Sequence, residues 1–451
     1  MPSLRASVGK FWASGPIRWP EQTLGPRPGL RELNVICWGL LIALALLIGA
    51  LVRNHVSGGE GFDFVYFYGA GRLAAEHPPA RLYDYASQLR VFNSICPTQR
   101  THYGPSPYPP FVGLFFSGLS QLPFRLAYFL WMGISLTLYV TGIRAALNEV
   151  MPDDRLKASL ILCLALAFAP FLLFTLVNGQ LASVAVFCVG LAIYQEGRHK
   201  PFFSGLLLSI LVYKPTLLLL ILPMLCLTRR FKTLAGFISG AITLVAISTV
   251  FAGLQIWPAY VRLIEAFRKL SVGDVSSGIK GGLRRWQFVD LNSLSYAIPG
   301  GHSGVGLALM CVIVFGVTLW VALLFWKSAT CGRSTQYLTW GTALTWTLLL
   351  NIYVPIYDSV LATIAIILTI GGLEDAGWEN AVRWIVAAGV LIFAMSWITR
   401  AIAERHGIQL LTVVLFGFGI VQACLLQKSI NLGSSRESAN IHSVSVADQV
   451  G

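Results

Sequence analysis

A chain of 451 residues, 55% of them hydrophobic and only 12% charged, lacks the polar surface of a soluble domain, where about a quarter of residues are charged. Its mean hydropathy of +0.68 fits one polytopic membrane unit. The net charge of +13 therefore reads as Lys and Arg held in cytoplasmic loops beside anionic lipid headgroups, not as a nucleic-acid surface.

The polar residues 1–33 carry Arg5, Lys10, Arg18, Arg27 and Arg31 and are expected to stay in the cytoplasm. The first apolar run, Asn34–Val52, is long enough to span and has no small-residue cleavage pattern, so it reads as an uncleaved anchor opening a membrane domain over 34–427. Further apolar runs follow near 108–122, 124–147, 157–176, 180–195, 201–213, 215–228, 231–253, 304–326, 336–351, 356–371, 379–399 and 407–427. The fold class expected is all-α, a polytopic bundle of about 12 transmembrane helices whose external loops carry short interfacial helices. Residues 428–451, rich in Ser, Asn and Val without aromatics, are expected to form a disordered cytoplasmic tail.

Two long polar stretches interrupt the series. The first, 54–107, holds Asp63 among Phe62, Phe64, Tyr66, Phe67 and Tyr68. A carboxylate in that company is partly desolvated, which raises its pKa and suits a proton acceptor; its other reading is the N-cap of a helix over Phe64–Glu76. Asp84, after Tyr83, is either a second site carboxylate or the cap of a helix reaching Arg90. Tyr108 stands among the prolines 107, 109 and 110, which lock the start of 108–122, a run expected to form a short re-entrant or half-buried helix.

Asn178-Gly179-Gln180 is either a plain turn or a source of neutral hydrogen bonds to sugar hydroxyls or phosphate oxygens. Lys214, in an apolar stretch and followed by the helix-breaking Pro215, is either a snorkelling side chain or, given its place in mid-stretch, a functional cation suited to an anionic headgroup. Asp358, with Tyr353 and Tyr357 nearby, is placed to pair with Lys214 or an arginine, or to act as a second carboxylate. The second long loop, 255–303, carries Arg262, Arg268, Lys269, Lys280, Arg284 and Arg285 against Glu265, Asp274 and Asp290, a balance consistent with phosphate binding. Within it, Leu254–Leu270 reads as an amphipathic interfacial helix.

Loop charge sets the orientation. The short connections at 196–200, 228–232 and 327–333 are rich in cations and are expected on the cytoplasmic side. Alternation then puts both long loops, Asn178–Gln180, Lys214 and Asp358 outside. The eight cysteines, mostly in apolar runs, have no zinc-site spacing, and no metal or cofactor is expected.

The ordered set Asp63-Phe64 with Tyr66 and Tyr68, Leu82-Tyr83-Asp84, Tyr108-Pro109-Pro110, Asn178-Gly179-Gln180, Tyr213-Lys214-Pro215, Trp257, and Pro355 with Tyr357-Asp358 resembles glycosyltransferase family 87, over about residues 35–425. The resemblance implies a GT-C-type enzyme of the cell (inner) membrane that works on the external face. Its donor would be a polyprenyl-phosphate-linked sugar, usually mannose, and its acceptor a glycan or glycolipid. Asp63 matches the general base of the first external loop, with inversion at the anomeric carbon. Lys214, Arg284 and Arg285 are candidates to stabilise the departing phosphate, alongside Gln180, Asn178 and Tyr108 as donor contacts. Leu181 stands where many relatives have asparagine, and 355–358 lacks the histidine of some mannosyltransferases, so the sugar and acceptor stay open. A flippase or other transporter of lipid-linked sugars is the alternative, against which no internal repeat is visible; a non-catalytic scaffold leaves Lys214 unexplained.

Overall fold

Backbone groups in lipid must be satisfied within the segment, so apolar runs of this kind fold as helices. The computed structural model describes residues 29–57, 63–75, 79–95, 106–272, 287–295 and 303–447. In chain order the α-helices are α1 (Leu30–Ser57), α2 (Phe64–Ala75), α3 (Tyr85–Ile95), α4 (Pro110–Leu119), α5 (Phe124–Val150), α6 (Arg155–Leu166), α7 (Ala182–Gly197), α8 (Pro201–Ser209), α9 (Ile221–Leu227), α10 (Phe231–Ala252), α11 (Ile256–Val272), α12 (Leu291–Ser295), α13 (Gly304–Ser328), α14 (Arg333–Leu349), α15 (Leu361–Asp375), α16 (Glu379–His406) and α17 (Leu410–Ala447). An isolated antiparallel bridge, Phe288 to Pro355, is the extended pairing among the described residues.

Seven of these helices are long and apolar enough to cross a membrane. An eighth crossing results if α6 and the π-helical Pro170–Val177, bent by 57° at their junction, form one passage. The about twelve passages expected from apolar runs also include α7, the threonine-rich α14 and the two pieces 201–213 and 215–227, which are too short to pass alone. Helix α4 has ten residues and rises about 15 Å, half the hydrocarbon thickness, in keeping with the short helix expected there. Helix α17 continues to Ala447, so the tail expected to be disordered from Lys428 is helical as far as the described residues extend.

Burial sorts the helices into centre and rim. The stretch Ile356–Asp375 buries 83% of its apolar window, whereas α1 and α13 bury only 6% and 11% of theirs and leave Leu46, Val312 and Phe315 exposed on the lipid-facing rim. Small residues let the inner helices touch. A Cβ on Gly190 of α7 would lie 2.1 Å from the Gly142 carbonyl of α5, and one on Gly236 of α10 would lie 2.0 Å from the Phe202 carbonyl of α8. Such close crossings gain dispersion where lipid supplies no hydrophobic drive between helices. Ser135 and Ser183 add a hydrogen bond of 2.7 Å between α5 and α7.

The two ends of the bundle differ in chemistry. One gathers the short basic connections: Arg333 reaches Glu149 at 3.1 Å, Arg230 pairs with Glu196, and Glu196 also accepts from Trp340 Nε1 at 3.1 Å and Thr233 at 3.0 Å. Each buried carboxylate there is matched by a cation, as burial requires. Chain direction carries α5, α7 and α14 from or to the opposite end, where the breaks at 178–180, 214 and 351–358 lie together.

Candidate functional site

The site begins with a turn whose backbone is fully engaged. Between the π-helical segment and α7 the chain reverses through Gly179 at φ +72°, and a Cβ there would stand 2.6 Å from the Cβ of Phe64. Three successive carbonyls of this turn are taken by groups of two other elements, α5 and α2. Val177 accepts from Tyr128 Oη at 2.5 Å, Asn178 from the Phe64 amide at 2.9 Å, and Gly179 from Trp131 Nε1 at 2.9 Å. The start of α2 is thereby tied to the turn, and Asp63 is held beside Gln180.

The Gln180 amide donates from Nε2 to Asp63 Oδ2 at 2.7 Å. Asp63 is half-buried and, among the described residues, has no cationic partner. Burial raises its carboxyl above the usual carboxylate range, and the bond from Gln180 opposes that rise. Its backbone carbonyl accepts from the Tyr66 amide at 3.1 Å, while its carboxylate turns across to the Gln180 turn. The helix-start position expected for Asp63 is therefore real, and its side chain is directed to another element.

The second half of the site forms where the chain breaks at Lys214, between two 3-10 turns, Ile210–Tyr213 and Pro215–Leu218. The Lys214 ammonium pairs with Asp358, both side chains being almost wholly buried. It also stands over the rings of Tyr357 at 4.7 Å and Tyr353 at 5.6 Å, an arrangement that holds a desolvated cation. Tyr213 donates to the Leu181 carbonyl at 3.2 Å, joining this break to the Gln180 turn. Asn351 Nδ2 donates to the Thr216 carbonyl at 2.7 Å, closing the same junction from α14.

Tyr108 links the two halves. Its hydroxyl shares a hydrogen bond with Tyr357; burial pushes its phenol far up, with Tyr353 and the charges of Asp358 and Asp63 adding to the shift. Tyr353 is raised for the same reason, burial first and then Asp358 and Asp63. Both tyrosines thus sense both carboxylates. The two acids have different surroundings, Asp358 bound to a cation and Asp63 bound to a neutral amide, which separates a counter-ion from a group free to take a proton.

A clasp from the second long loop holds the segment that carries these tyrosines. The amide of Val289 donates to the Val354 carbonyl at 2.8 Å, and Asp290 accepts from the Val354 amide at 3.1 Å and the Ser293 amide at 2.7 Å. Asp290 is buried, and burial raises its carboxyl despite those two amides. Sequence reading counted Asp290 only as a loop charge. The aromatic ties Tyr128 and Trp131 were also missed, because an apolar helix gives no sign of which ring has its polar atom facing a distant carbonyl.

Other candidates stand elsewhere. Asp84 is exposed and caps α3, accepting from the Ser87 amide at 2.9 Å and its hydroxyl at 2.5 Å, so the capping alternative describes it and the site does not include it. Asn178 contributes its carbonyl to the turn. Arg284 and Arg285 lie outside the described residues. Among the described residues no three His, Cys, Asp or Glu side chains converge as a metal site.

The family model of glycosyltransferase family 87 matches residues 107–351, somewhat more than half of the chain. That span runs from the Tyr108 loop through Gln180 and Lys214 to Asn351. No curated protein and no solved structure matches.

Proposed function

The chain belongs to glycosyltransferase family 87 and is a membrane glycosyltransferase, and from that premise we propose that it moves a hexose, mannose, from a polyprenyl-phosphate donor to a hydroxyl of a glycan or glycolipid acceptor. The acceptor oxygen attacks the anomeric carbon while Asp63 takes its proton. The bond from that carbon to the phosphate oxygen breaks, and the electron pair leaves with the polyprenyl phosphate. Direct displacement inverts the anomeric centre, and no nucleotide sugar takes part.

Asp63 carries this reading. Among the described residues it has no cationic partner, and unlike Asp290, which is held by two backbone amides, it meets one side-chain amide; burial raises its proton affinity. Asp358 then serves Lys214. An ammonium has three protons, and the one given to Asp358 leaves two for the oxygens of the leaving phosphate. Arg284 and Arg285 are assigned to the same phosphate from the sequence alone. The reaction is assigned to the external face of the cell membrane, because the clustered cations of the short connections lie at the bundle end remote from the site.

The test uses the full chain in lipid vesicles with polyprenyl-phosphate mannose labelled in the sugar, an extracted membrane-lipid acceptor and no nucleotide sugar. Label is expected in a new glycoside, with free polyprenyl phosphate formed in equal amount. Label that crosses the vesicle wall still attached to its phosphate supports a transporter and removes the reading.

A further inference from the structure

Gln180 is 6% exposed, and one of its two polar atoms has no partner: Nε2 is committed to Asp63, while Oε1 is buried and unbonded among the described residues. The amide orientation is not free. While Asp63 is ionised it can only accept, so the amide nitrogen faces it and the carbonyl oxygen is left for another donor. A buried acceptor left without a donor is costly, and native proteins leave few of them. The atom that completes this amide must therefore bring a proton.

That requirement separates ligands. A phosphate-diester oxygen carries no proton and cannot satisfy Oε1, whatever the second Nε2 proton meets. A sugar hydroxyl can satisfy it. Moreover, Oε1 belongs to the same amide that holds Asp63, so the Asp63 carboxylate and the Gln180 carbonyl are two acceptors joined through one side chain. Two hydroxyls on adjacent carbons of one sugar ring have the matching polarity, one donor for each acceptor.

We infer that Gln180 is a specificity residue that reads the hydroxyl next to the attacking one, so that the acceptor is a sugar presenting a vicinal diol. This deepens the reading above and rests on it. One hydroxyl gives its proton to Asp63 as it attacks; its neighbour donates to Gln180 Oε1 and fixes the orientation. A serine or threonine of a protein, or a simple lipid alcohol, has no second hydroxyl to offer. An acceptor lacking that group leaves the carbonyl buried and unpaired, the situation in which a polar site discriminates strongly.

The experiment measures kcat/KM for transfer from polyprenyl-phosphate mannose by the full chain in lipid nanodiscs. The acceptors are the octyl glycosides of mannose, glucose and galactose, the monodeoxy analogues of whichever accepts, and octanol. The wild type should disfavour the analogue lacking the hydroxyl adjacent to the new linkage by about ten- to a hundredfold, and should not use octanol. Gln180→Leu should bring the parent acceptor down to the level of that analogue, leaving them within about twofold of each other. Equal use of parent and analogue by the wild type overturns the inference without any variant. So does discrimination that survives Gln180→Leu, or that follows a deoxy position on the donor instead. Transfer to the membrane's own lipids with none to any octyl glycoside also overturns it, while leaving the parent reading intact. Absence of transfer to every acceptor removes both.

Discussion

Asp63 and Gln180, 117 positions apart in the chain, meet through a hydrogen bond of 2.7 Å in which the amide nitrogen donates to the carboxylate. The bond favours the charged form of Asp63, against a burial that favours the neutral one. Their balance decides the pH at which the base becomes ionised.

Activity should therefore rise with pH through a single acid limb lying above the ordinary carboxylate range. Below the limb it should fall about tenfold per pH unit, because only ionised Asp63 accepts a proton. Gln180→Leu removes the influence that lowers the pKa and leaves burial unopposed, so the limb should move to higher pH. The check is a profile of kcat/KM against pH for both proteins; a limb that stays in place or moves down contradicts this account of Asp63.

Gly179 is the pivot of the turn. Its positive φ is strained for any L side chain, and an added Cβ would meet the first residue of α2. Gly179→Ala should cost about 1–3 kcal/mol and lower kcat with it, because α2 cannot shift without carrying Asp63 along. Thermal unfolding in detergent and turnover, measured on the same preparation, should fall together.

The Lys214–Asp358 pair gives a different pattern. Removing one partner strands a buried charge, so Lys214→Met should destabilise by about 3–5 kcal/mol. Combining it with Asp358→Leu removes the stranded charge and should recover most of that loss. Transfer should not recover, since the double variant has no ammonium for the departing phosphate. Recovery of turnover in the double variant would show that the pair is structural only.

Much of this was legible in the sequence. Apolar runs and loop cations gave the helical bundle, and the isolated charges Asp63, Lys214 and Asp358 stood out because apolar neighbours make them costly. The pairing of Lys214 with Asp358 was one of several open options, since residues 144 apart have no spacing rule to join them. What could not be read were contacts made by groups that look ordinary one at a time. Asp290 resembles any loop acid until the Val354 amide is found on it, and Trp131 resembles any membrane-helix aromatic until the Gly179 carbonyl meets its indole. Asp84 shows the converse, a motif position whose nearest neighbours already account for it.

The most direct measurement is the single-turnover transfer rate of Asp63→Asn with polyprenyl-phosphate mannose bound. Asparagine keeps the shape and still offers an oxygen to the Gln180 amide, so folding and donor affinity should be unchanged. The rate should drop by about a hundred- to ten-thousandfold. A rate within about threefold of the wild type, too small a change for a lost general base, would contradict the assignment of Asp63 as the group that takes the proton.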